Sequence, residues 1–185
     1  MIVQGKKVIL RDWKVADFTA YRYWHKGKHK WMKFNGPYYP QKTEQEIETS
    51  IQTIKNQLET GNFPKIRRRL VIADSKTNTL IGTVNWYWQS EETNWISVGI
   101  AIYDNKYWGK GIGFETLYIW CQYLFTNFTK IVRLDLRTWS GNIGMMKLAE
   151  KLGFTLEARF RKARIVDGKY YDSIGYGILR AEWDI

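Results

Sequence analysis

The sequence predicts an α+β domain in which helices cover the faces of a mixed β-sheet. Two observations lead to this class. Apolar residues recur at helical spacing in four segments, and about seven short runs rich in Val, Ile and aromatic residues are bounded by turn residues. The elements follow the order β, α, α, β, β, β, α, β, α, β, β. A length of 185 residues suits one domain over residues 1–185.

The N-terminal third is predicted to contain one strand and two helices. Residues 7–11 form the strand, and residues 14–25 form a helix with apolar residues on one face. Thr43 and Glu46 have the spacing of a capping box, so a second helix is expected to begin after Thr43 and to end at Gly61.

The middle of the chain is predicted to contain three strands and a helix. Residues 68–73 and 80–88 form a hairpin, and residues 95–103 form the next strand. A glycine-rich turn follows, and from Phe114 onward the apolar residues share one face of a helix.

The C-terminal third is predicted to contain a strand, a short helix and a hairpin. The strand covers residues 131–139, and the helix is capped by Asn142 and ends at Gly153. The hairpin covers residues 154–179 and turns at Asp167-Gly168, a pair typical of tight β-turns.

The composition limits the classes of protein and of partner. Hydrophobic residues make up 44% of the chain and aromatic residues 16%, which argues against disorder. No apolar stretch reaches the roughly 18 residues of a membrane span, and no signal pattern opens the chain, so we expect a cytoplasmic protein. A net charge of +11 favours a partner with several phosphates, an acidic substrate or RNA, although a solvated basic surface is the alternative.

Three residues that could carry metal or thiol chemistry are expected to be structural. His25 and His29 are four positions apart, but Gly27 interrupts the helix that would aim both at one metal, so no metal site is predicted. Cys121 lies on the apolar face of its helix and is predicted to be a core residue.

Three glycines lie at the junction between the predicted strand 95–103 and the next helix. They are Gly109, Gly111 and Gly113. Glycine lets a ligand approach the main chain, and the free N–H groups of the first helical turn favour an anion. The lysine of a Walker A loop and the further glycine of a dinucleotide fingerprint are both absent. The turn therefore predicts a cradle for a pyrophosphate.

This turn and two further motifs resemble the GNAT superfamily of N-acetyltransferases. The acyl-CoA-binding turn of that superfamily is Gln/Arg-x-x-Gly-x-Gly/Ala, and Trp108 occupies its first position here. Residues 142–154 resemble the superfamily's Asn-x-x-Ser/Ala-x-x-Leu-x-Glu-Lys-x-Gly-Phe helix. Two further segments, residues 5–11 and residues 164–183 in the C-terminal hairpin and its end, resemble the branch that includes ribosomal-protein N-terminal (alanine/serine) acetyltransferases.

The resemblance implies a fold and an activity. The fold is the GNAT fold, an α/β/α sandwich-like arrangement with a mixed, mostly antiparallel sheet of about seven strands and four main helices. The sheet is splayed between the fourth and fifth strands, which here are residues 95–103 and 131–139. The activity is acetyl-CoA-dependent N-acetylation of a primary amine, such as a protein N-terminus or a small molecule, by direct transfer in a ternary complex.

The resemblance also implies how acetyl-CoA is held. Main-chain N–H groups of residues 109–113 would bind its pyrophosphate, and main-chain groups of residues 100–102 would bind the pantetheine arm. Asn142 would bond the pantetheine amides, or it would only cap its helix. The residues expected to bind the cofactor are Ile100, Ala101, Ile102, Trp108, Gly109, Lys110, Gly111, Ile112, Gly113, Phe114, Asn142, Met145 and Lys147.

Several positions that often assist catalysis in the superfamily hold other residues in this sequence. Ser97 replaces a glutamate, Met145 replaces a serine of the short helix, and Ala149 replaces a tyrosine. Arg164 replaces a further polar group of the last hairpin.

Ser97 and Asp135 are therefore the candidate catalytic residues, and they would hold a water that carries the proton. Asp135 can instead form a structural pair with Arg133 or Arg137. Two alternatives remain open. The amine arrives neutral and positioning supplies much of the acceleration, or the protein binds acyl-CoA with little turnover.

The acceptor is indicated only by aromatic residues. Residues 31–40 form an aromatic loop that either caps the core or walls an acceptor pocket. A basic protein repels polyamines at long range, which favours a protein N-terminus or a neutral or acidic small amine. The residues expected to bind the acceptor are Trp31, Phe34, Tyr38, Trp86 and Trp88. A non-catalytic acyl-CoA-binding or RNA-associated protein remains the alternative, with ribosome or RNA association through the basic surface, as a monomer or homodimer.

Overall fold

The computed structural model describes residues 2–183, and within them one eight-stranded sheet packs against four α-helices. The strands are β1 (Ile2–Gln4), β2 (Val8–Arg11), β3 (Arg69–Asp74), β4 (Leu80–Ser90), β5 (Trp95–Ile102), β6 (Arg133–Trp139), β7 (Thr155–Val166) and β8 (Lys169–Leu179). The helices are α1 (Asp17–His25), α2 (Glu44–Thr60), α3 (Ile112–Asn127) and α4 (Ile143–Lys151).

The sheet opens in its middle. Its order is β1-β2-β3-β4-β5-β6-β8-β7, and β5 and β6 are parallel while every other neighbouring pair of described strands is antiparallel. Residues 96–98 of β5 pair with residues 134–136 of β6. Both strands continue past this pairing, β5 to Ile102 and β6 to Trp139. We call the opening between residues 99–102 and residues 137–139 the splay.

Apolar side chains cover both faces of the sheet. Beneath α3, the fully buried residues Leu117, Trp120 and Leu124 form the centre of one layer, which we call the α3 layer. On the opposite face, α1 and α2 contribute Phe18 and Ile51 to the α1–α2 layer. Strand β3 supplies both layers because successive side chains of a strand point to opposite faces. Leu70 and Ile72 belong to the α3 layer, and Val71 and Ala73 belong to the α1–α2 layer.

The predicted order of elements and two local motifs are confirmed. The capping box of α2 is present, with Glu46 N donating to Thr43 Oγ1 (3.2 Å) and Thr43 N donating to Glu46 Oε2 (2.7 Å). The helix ends before Gly61, which has a φ of 64°. At the β7–β8 turn, Asp167 and Gly168 have φ values of 49° and 73°, as a type I′ hairpin turn requires.

Three differences from the predicted elements have an identifiable cause. Strand β1 was not expected, because three residues are too few to show alternation. Helix α1 begins at Asp17 rather than at residue 14, since the Asp17 carboxylate accepts the Lys14 N–H (2.7 Å) and holds the preceding residues in a turn. Strand β6 begins at Arg133 rather than at residue 131, since the Ile131 carbonyl accepts from the Arg180 guanidinium (2.9 Å).

A buried ion pair connects β2 to the start of α1. Arg11 Nη1 and Nη2 donate to the two carboxylate oxygens of Asp17 at 2.7 and 2.9 Å. Their side chains are 4% and 6% exposed. Removing one member of such a pair leaves an uncompensated charge in a place that water reaches poorly.

We therefore expect Asp17→Asn to lower the free energy of unfolding by about 3–5 kcal/mol. Urea denaturation followed by tryptophan fluorescence measures it. The matched control is Glu48→Gln, which breaks the solvent-exposed Arg22–Glu48 pair (2.6 Å) and should cost much less. Equal losses in the two variants would contradict a structural role for the buried pair.

Candidate functional site

The glycine turn presents bare main chain at the start of α3. Gly109 and Gly111 have φ values of 72° and 78°, in the left-handed region that favours glycine. Gly111 is the N-cap of α3, and no side chain makes a capping hydrogen bond there. The first-turn N–H groups have no acceptor within the helix, and the positive end of the helix dipole lies beside them. This arrangement favours an anion.

Lys7, which the sequence did not mark as a site residue, lies against this turn. Its ammonium donates to the Lys110 carbonyl (2.8 Å), and a Cβ placed on Gly111 would be 3.3 Å from Lys7 Nζ. Its own N–H donates to Glu115 Oε1 (2.8 Å), which joins the segment before β2 to α3. A positive charge therefore stands at the turn, contributed by a residue more than 100 positions away in sequence.

The third glycine serves packing rather than an unusual backbone angle. A Cβ on Gly113 would lie 3.2 Å from Leu148 Cδ2 and 3.7 Å from Ile102 Cδ1. The missing side chain lets α3 lie close to α4 and to β5 at the same point.

A cavity of about 310 Å³ lies next to the turn, on one side of the splay. We call it the glycine-turn cavity. Its lining combines the turn with the end of β5, the start of α4 and the aromatic loop. These residues are Trp31, Phe34, Asn35, Ile100, Ala101, Ile102, Tyr107, Trp108, Gly109, Gly113, Asn142, Gly144, Met145 and Leu148.

A second cavity, of about 260 Å³, lies on the other side of the splay. We call it the basic cavity because Lys42, Arg69 and Arg137 contribute to its wall. Its polar and aromatic lining also includes Tyr21, His25, Tyr38, Thr83, Asn85, Tyr103, Thr138 and Trp139. The two cavities have in common Trp31, Phe34, Asn35, Ile100, Ala101, Asn142 and Met145, so they meet at the splay.

The unpaired part of β5 runs along this junction. Residues 99–102 have no partner on β6, so main-chain groups on that side are available to an extended ligand. The Ile102 carbonyl is an exception, because it accepts from Trp108 Nε1 (3.0 Å). Successive strand residues direct their main-chain groups to opposite sides, and the Tyr103 N–H donates to the Ile81 carbonyl on β4 (2.9 Å), so Ala101 also faces β4. Of the three residues predicted to bind the pantetheine arm, Ile100 therefore offers its main-chain groups to the splay.

The aromatic loop forms a roof over the junction. The Phe34 carbonyl accepts from Trp139 Nε1 (3.0 Å) and from Asn142 Nδ2 (3.2 Å), and its ring packs edge-on against Trp108 (5.6 Å). Trp31 is buried in the α1–α2 layer, while Phe34 and Tyr38 line the basic cavity. The loop therefore caps the core and also walls a cavity, and its role in binding the acceptor remains a prediction.

Asn142 has two structural contacts in addition to its place at the cavities. Its Oδ1 accepts from Met145 N (3.2 Å) and so caps α4, as one of the two predictions stated. Its Nδ2 holds the aromatic loop through Phe34. A bond to a ligand amide remains a prediction.

His25, which sequence reasoning considered only as a metal ligand, lines the basic cavity as a neutral base. Its Nδ1 is 2.9 Å from the Tyr21 carbonyl, which can only accept, so Nδ1 carries the proton and Nε2 keeps its lone pair. Burial lowers the pKa of His25 to about 4, and the positive charges of Lys42 and Arg69 act in the same direction. Burial likewise raises the pKa of Tyr103, whose hydroxyl is 3.0 Å from Thr83 Oγ1.

Ser97 and Asp135 lie directly opposite each other on β5 and β6, but neither lines a cavity. Ser97 is fully buried and accepts from Gln89 Nε2 (3.0 Å). Asp135 is paired with Arg133 (2.6 Å) and Arg137 (3.7 Å), so its predicted alternative as a structural pair is confirmed. A catalytic role for either residue remains a prediction.

The structure does not bring Trp86 and Trp88 to the basic cavity. Alternation along β4 points Thr83 and Asn85 at the cavity and places Trp86 on the opposite face, in the α3 layer. The rings of Trp86 and Trp88 pack against each other (5.3 Å) and against Phe128. Trp86 and Trp88 are in phase with each other and out of phase with Thr83 and Asn85. The period of two therefore places the two pairs on opposite faces of the strand.

Five of the predicted cofactor residues lie outside the lining of the glycine-turn cavity. Ile112 is a core residue and Lys110 and Lys147 are exposed. Phe114 packs on the α3 layer with the Lys151 ammonium 5.2 Å from its ring, and Gly111 caps the helix.

Cys121 is fully buried, as predicted, and burial raises the pKa of its thiol.

The chain is similar in sequence to acetyltransferases. The family model described as the acetyltransferase (GNAT) domain matches residues 7–155. The chain is also 26% identical, over 132 residues, to the SPbeta prophage-derived uncharacterized N-acetyltransferase YokL of Bacillus subtilis. That alignment covers 71% of this chain and 70% of YokL.

Solved acetyltransferases have a similar fold. Spermidine N-acetyltransferase from Vibrio cholerae, in complex with CoA and spermine, has a TM-score of 0.74 at 18% identity, with 97% of this chain and 99% of that one covered. A Vibrio cholerae protein provisionally named a ribosomal-protein-serine acetyltransferase has a TM-score of 0.66 at 19% identity, with 97% of each chain covered. The predicted GNAT fold, with its mixed and mostly antiparallel sheet, is thereby confirmed.

Among residues 2–183, no helix is both long and apolar enough to span a bilayer.

The low pKa of His25 predicts a pH dependence of stability. The ordinary pKa of His is 6.5, so between pH 6.5 and about 4 the unfolded chain binds a proton at this position that the folded chain does not. Stability should therefore fall as the pH drops from 7.5 to 5, by at most about 1.4 kcal/mol per pH unit for this one group. Urea denaturation across that range measures it.

His25→Gln should flatten this acid-side loss, whereas His29→Gln should keep it. If the two variants and the wild-type chain lose stability in parallel, His25 is not the group responsible.

Proposed function

Because the chain belongs to the GNAT acetyltransferase family, we propose that it transfers an acetyl group from acetyl-CoA directly to a primary amine, with both substrates meeting at the splay. By family it is an N-acetyltransferase. The observation that carries the proposal is the junction of the two cavities. The glycine-turn cavity and the basic cavity have seven lining residues in common, so donor and acceptor can reach one point from opposite sides.

The donor is proposed to lie in the glycine-turn cavity. Its pyrophosphate would bind the bare main chain at Gly109 and Gly111, with the Lys7 ammonium adding a positive charge. Its pantetheine arm would lie along the unpaired edge of β5 beside Ile100, in the manner of an added strand. Asn142 and Met145 line both cavities and would contact the end of the arm.

The chemistry needs few protein groups. The nitrogen of a neutral amine attacks the thioester carbonyl carbon, the N–C bond forms, the C–S bond breaks, and the CoA thiolate gains a proton. Two substrates held in line at the splay supply much of the acceleration by positioning. His25 Nε2 is a neutral acceptor in the wall of the basic cavity and can accept a hydrogen bond from the amine, directly or through water. Its pKa of about 4 makes it a weak base, so the proton that the amine releases passes to the leaving thiolate rather than staying on His25. Ser97 and Asp135 line neither cavity, so in this proposal they would influence the reaction only indirectly.

A protein N-terminus is one acceptor class within this proposal. The resemblance of the last hairpin to ribosomal-protein N-terminal acetyltransferases supports it. Strand β7 supports it too, since it is largely exposed and carries Arg159, Arg161 and Lys162. Such a strand suits a polyanionic partner such as the ribosome. A non-catalytic acyl-CoA-binding or RNA-associated protein would bind acetyl-CoA or RNA without releasing CoA in the presence of any amine.

The placement of the donor predicts that Gly109→Ala weakens acetyl-CoA binding at least about tenfold, or about 1.4 kcal/mol. The added methyl group would stand in the turn that the pyrophosphate approaches. Isothermal titration calorimetry measures the affinity. Gly168→Ala is the matched control, because both glycines have nearly the same φ (72° and 73°) and open space where a Cβ would stand. Equal affinities of the two variants for acetyl-CoA would contradict the binding of the pyrophosphate at this turn.

Lys7 gives a second test of the same placement. Lys7→Met should weaken acetyl-CoA binding by about threefold to tenfold, since one charge-assisted contact with the pyrophosphate is lost. An acetyl thioester of pantetheine, which has no pyrophosphate, should bind both proteins equally. Lys6→Met, at the exposed neighbouring position, should change neither affinity. Equal weakening for both donors would assign Lys7 to turn structure alone.

A further inference from the structure

The basic cavity has an unbalanced charge. Lys42, Arg69 and Arg137 line it, and none of the described residues that line it is an aspartate or glutamate. Three cations without a carboxylate between them raise the electrostatic potential of a partly enclosed space. His25, the other ionisable nitrogen base of the lining, is neutral at pH 7.

Arg69 is the least compensated of these cations. Strand alternation places it on the cavity face of β3, next to Val71 of the α1–α2 layer. Within residues 2–183 its guanidinium has no hydrogen bond to a side chain and no ion pair, and its charge acts on both His25 and Tyr103. A half-buried guanidinium in this state has several N–H donors free for a ligand.

Lys42 and Arg137 are only weakly engaged. Among the residues that the structure describes, the Lys42 ammonium has one hydrogen bond, a long contact to the Tyr21 hydroxyl (3.4 Å). Arg137 lies 3.7 Å from Asp135, a carboxylate that Arg133 contacts more closely (2.6 Å). Behind the wall, Arg164 stacks on Tyr38 (4.4 Å from the ring) and adds a fourth positive charge near the cavity.

We propose that the acceptor is a primary amine that also carries an anionic group, a carboxylate or a phosphate, bound by Arg69 and Lys42. This inference rests on the proposed function, since it takes acetyl transfer to occur at the splay. The anion would form charge-assisted hydrogen bonds with the guanidinium, which suits the planar fork of Arg, and its partner amine would then face the junction of the cavities. A polyamine would bring further positive charges into the same space and would be disfavoured.

The anionic group can come from two sources. One is the carboxylate of a small amino acid or the phosphate of an amino-alkyl phosphate. The other is an acidic side chain near the N-terminus of a peptide. Both offer the same chemistry to Arg69, and a cavity of about 260 Å³ accommodates a group of that size.

CoA release from acetyl-CoA by the purified full chain tests the proposal with matched amines. Each pair has a primary amine in common, and one member lacks the anionic group: phenylalanine against its methyl ester, aminoethyl phosphate against ethanolamine, and a C-terminally amidated peptide beginning Ala-Glu against one beginning Ala-Gln. Spermidine is the cationic reference. The anionic member should have at least tenfold higher kcat/KM, and a preference for the neutral amine or for spermidine would overturn the proposal. A comparison of kcat/KM for the free amino acid and aminoethyl phosphate with kcat/KM for the peptides then shows whether the anion belongs to a small molecule or to a peptide side chain.

Variants at the cavity assign the effect to its residues. Arg69→Gln and Lys42→Gln should raise KM for the preferred anionic amine at least tenfold and leave the Kd for acetyl-CoA unchanged. Arg69→Glu should reverse the preference towards spermidine. Arg68→Gln is the matched control, because Arg68 is exposed and lies over Trp86 on the opposite face of the sheet. Equal effects at Arg68 and Arg69 would overturn the assignment, and melting temperatures show whether each variant is folded.

Failure of the proposed function gives a different result. In that case no amine in the panel releases CoA, whether or not acetyl-CoA binds. Calorimetric titration of aminoethyl phosphate and phenylalanine into the CoA-saturated chain still decides the charge preference. Binding of the anionic amines that Arg69→Gln abolishes would support the inference without turnover, and no binding would overturn it.

Discussion

The early end of the pairing between β5 and β6 is the constraint on which the rest of the site depends. The two strands are hydrogen-bonded over residues 96–98 and 134–136 and then separate, although both continue. A parallel pair joined through a helix would ordinarily pair along its whole length. Here the separation leaves main-chain groups of β5 unpaired and creates two cavities that meet between the strands. The proposed donor and acceptor sites both follow from that single break in the sheet.

What keeps the strands apart is packing around the splay. The aromatic loop lies over it, with the Phe34 carbonyl tied to Trp139 on β6 and to Asn142 at the start of α4. On the turn side, the Trp108 indole is bonded to the end of β5 through the Ile102 carbonyl. Each contact gives a polar group at the opening a partner within the protein, so the aromatic loop and the glycine turn are held in place beside it.

Part of the positive charge of the chain lies where it can act on the proposed substrates. Lys7 stands at the glycine turn, and Arg69 and Lys42 stand in the basic cavity, on the two sides of the same opening. Acetyl-CoA is itself an anion, so an uncharged or cationic acceptor would explain only the first of these. The charge of the second cavity is the reason that the acceptor proposed here is anionic, unlike the spermine bound in the Vibrio cholerae structure of similar fold.

The sequence by itself determined the order of elements, the capping box, the I′ turn and the glycine turn, because each depends on residues only a few positions apart. It also identified the superfamily, since local motifs follow one another in a fixed order. Only the tertiary structure decided which side chains share a cavity. Lys7 contacts Lys110, and the charge of Arg69 acts on His25, although each pair is far apart in the sequence. The structure also shows that four predicted site residues do not line either cavity, and these are Trp86, Trp88, Ser97 and Asp135. The physical reason is that a strand's register and a loop's closure depend on the packing of the whole core, so residue type and spacing predict the elements but not what they enclose.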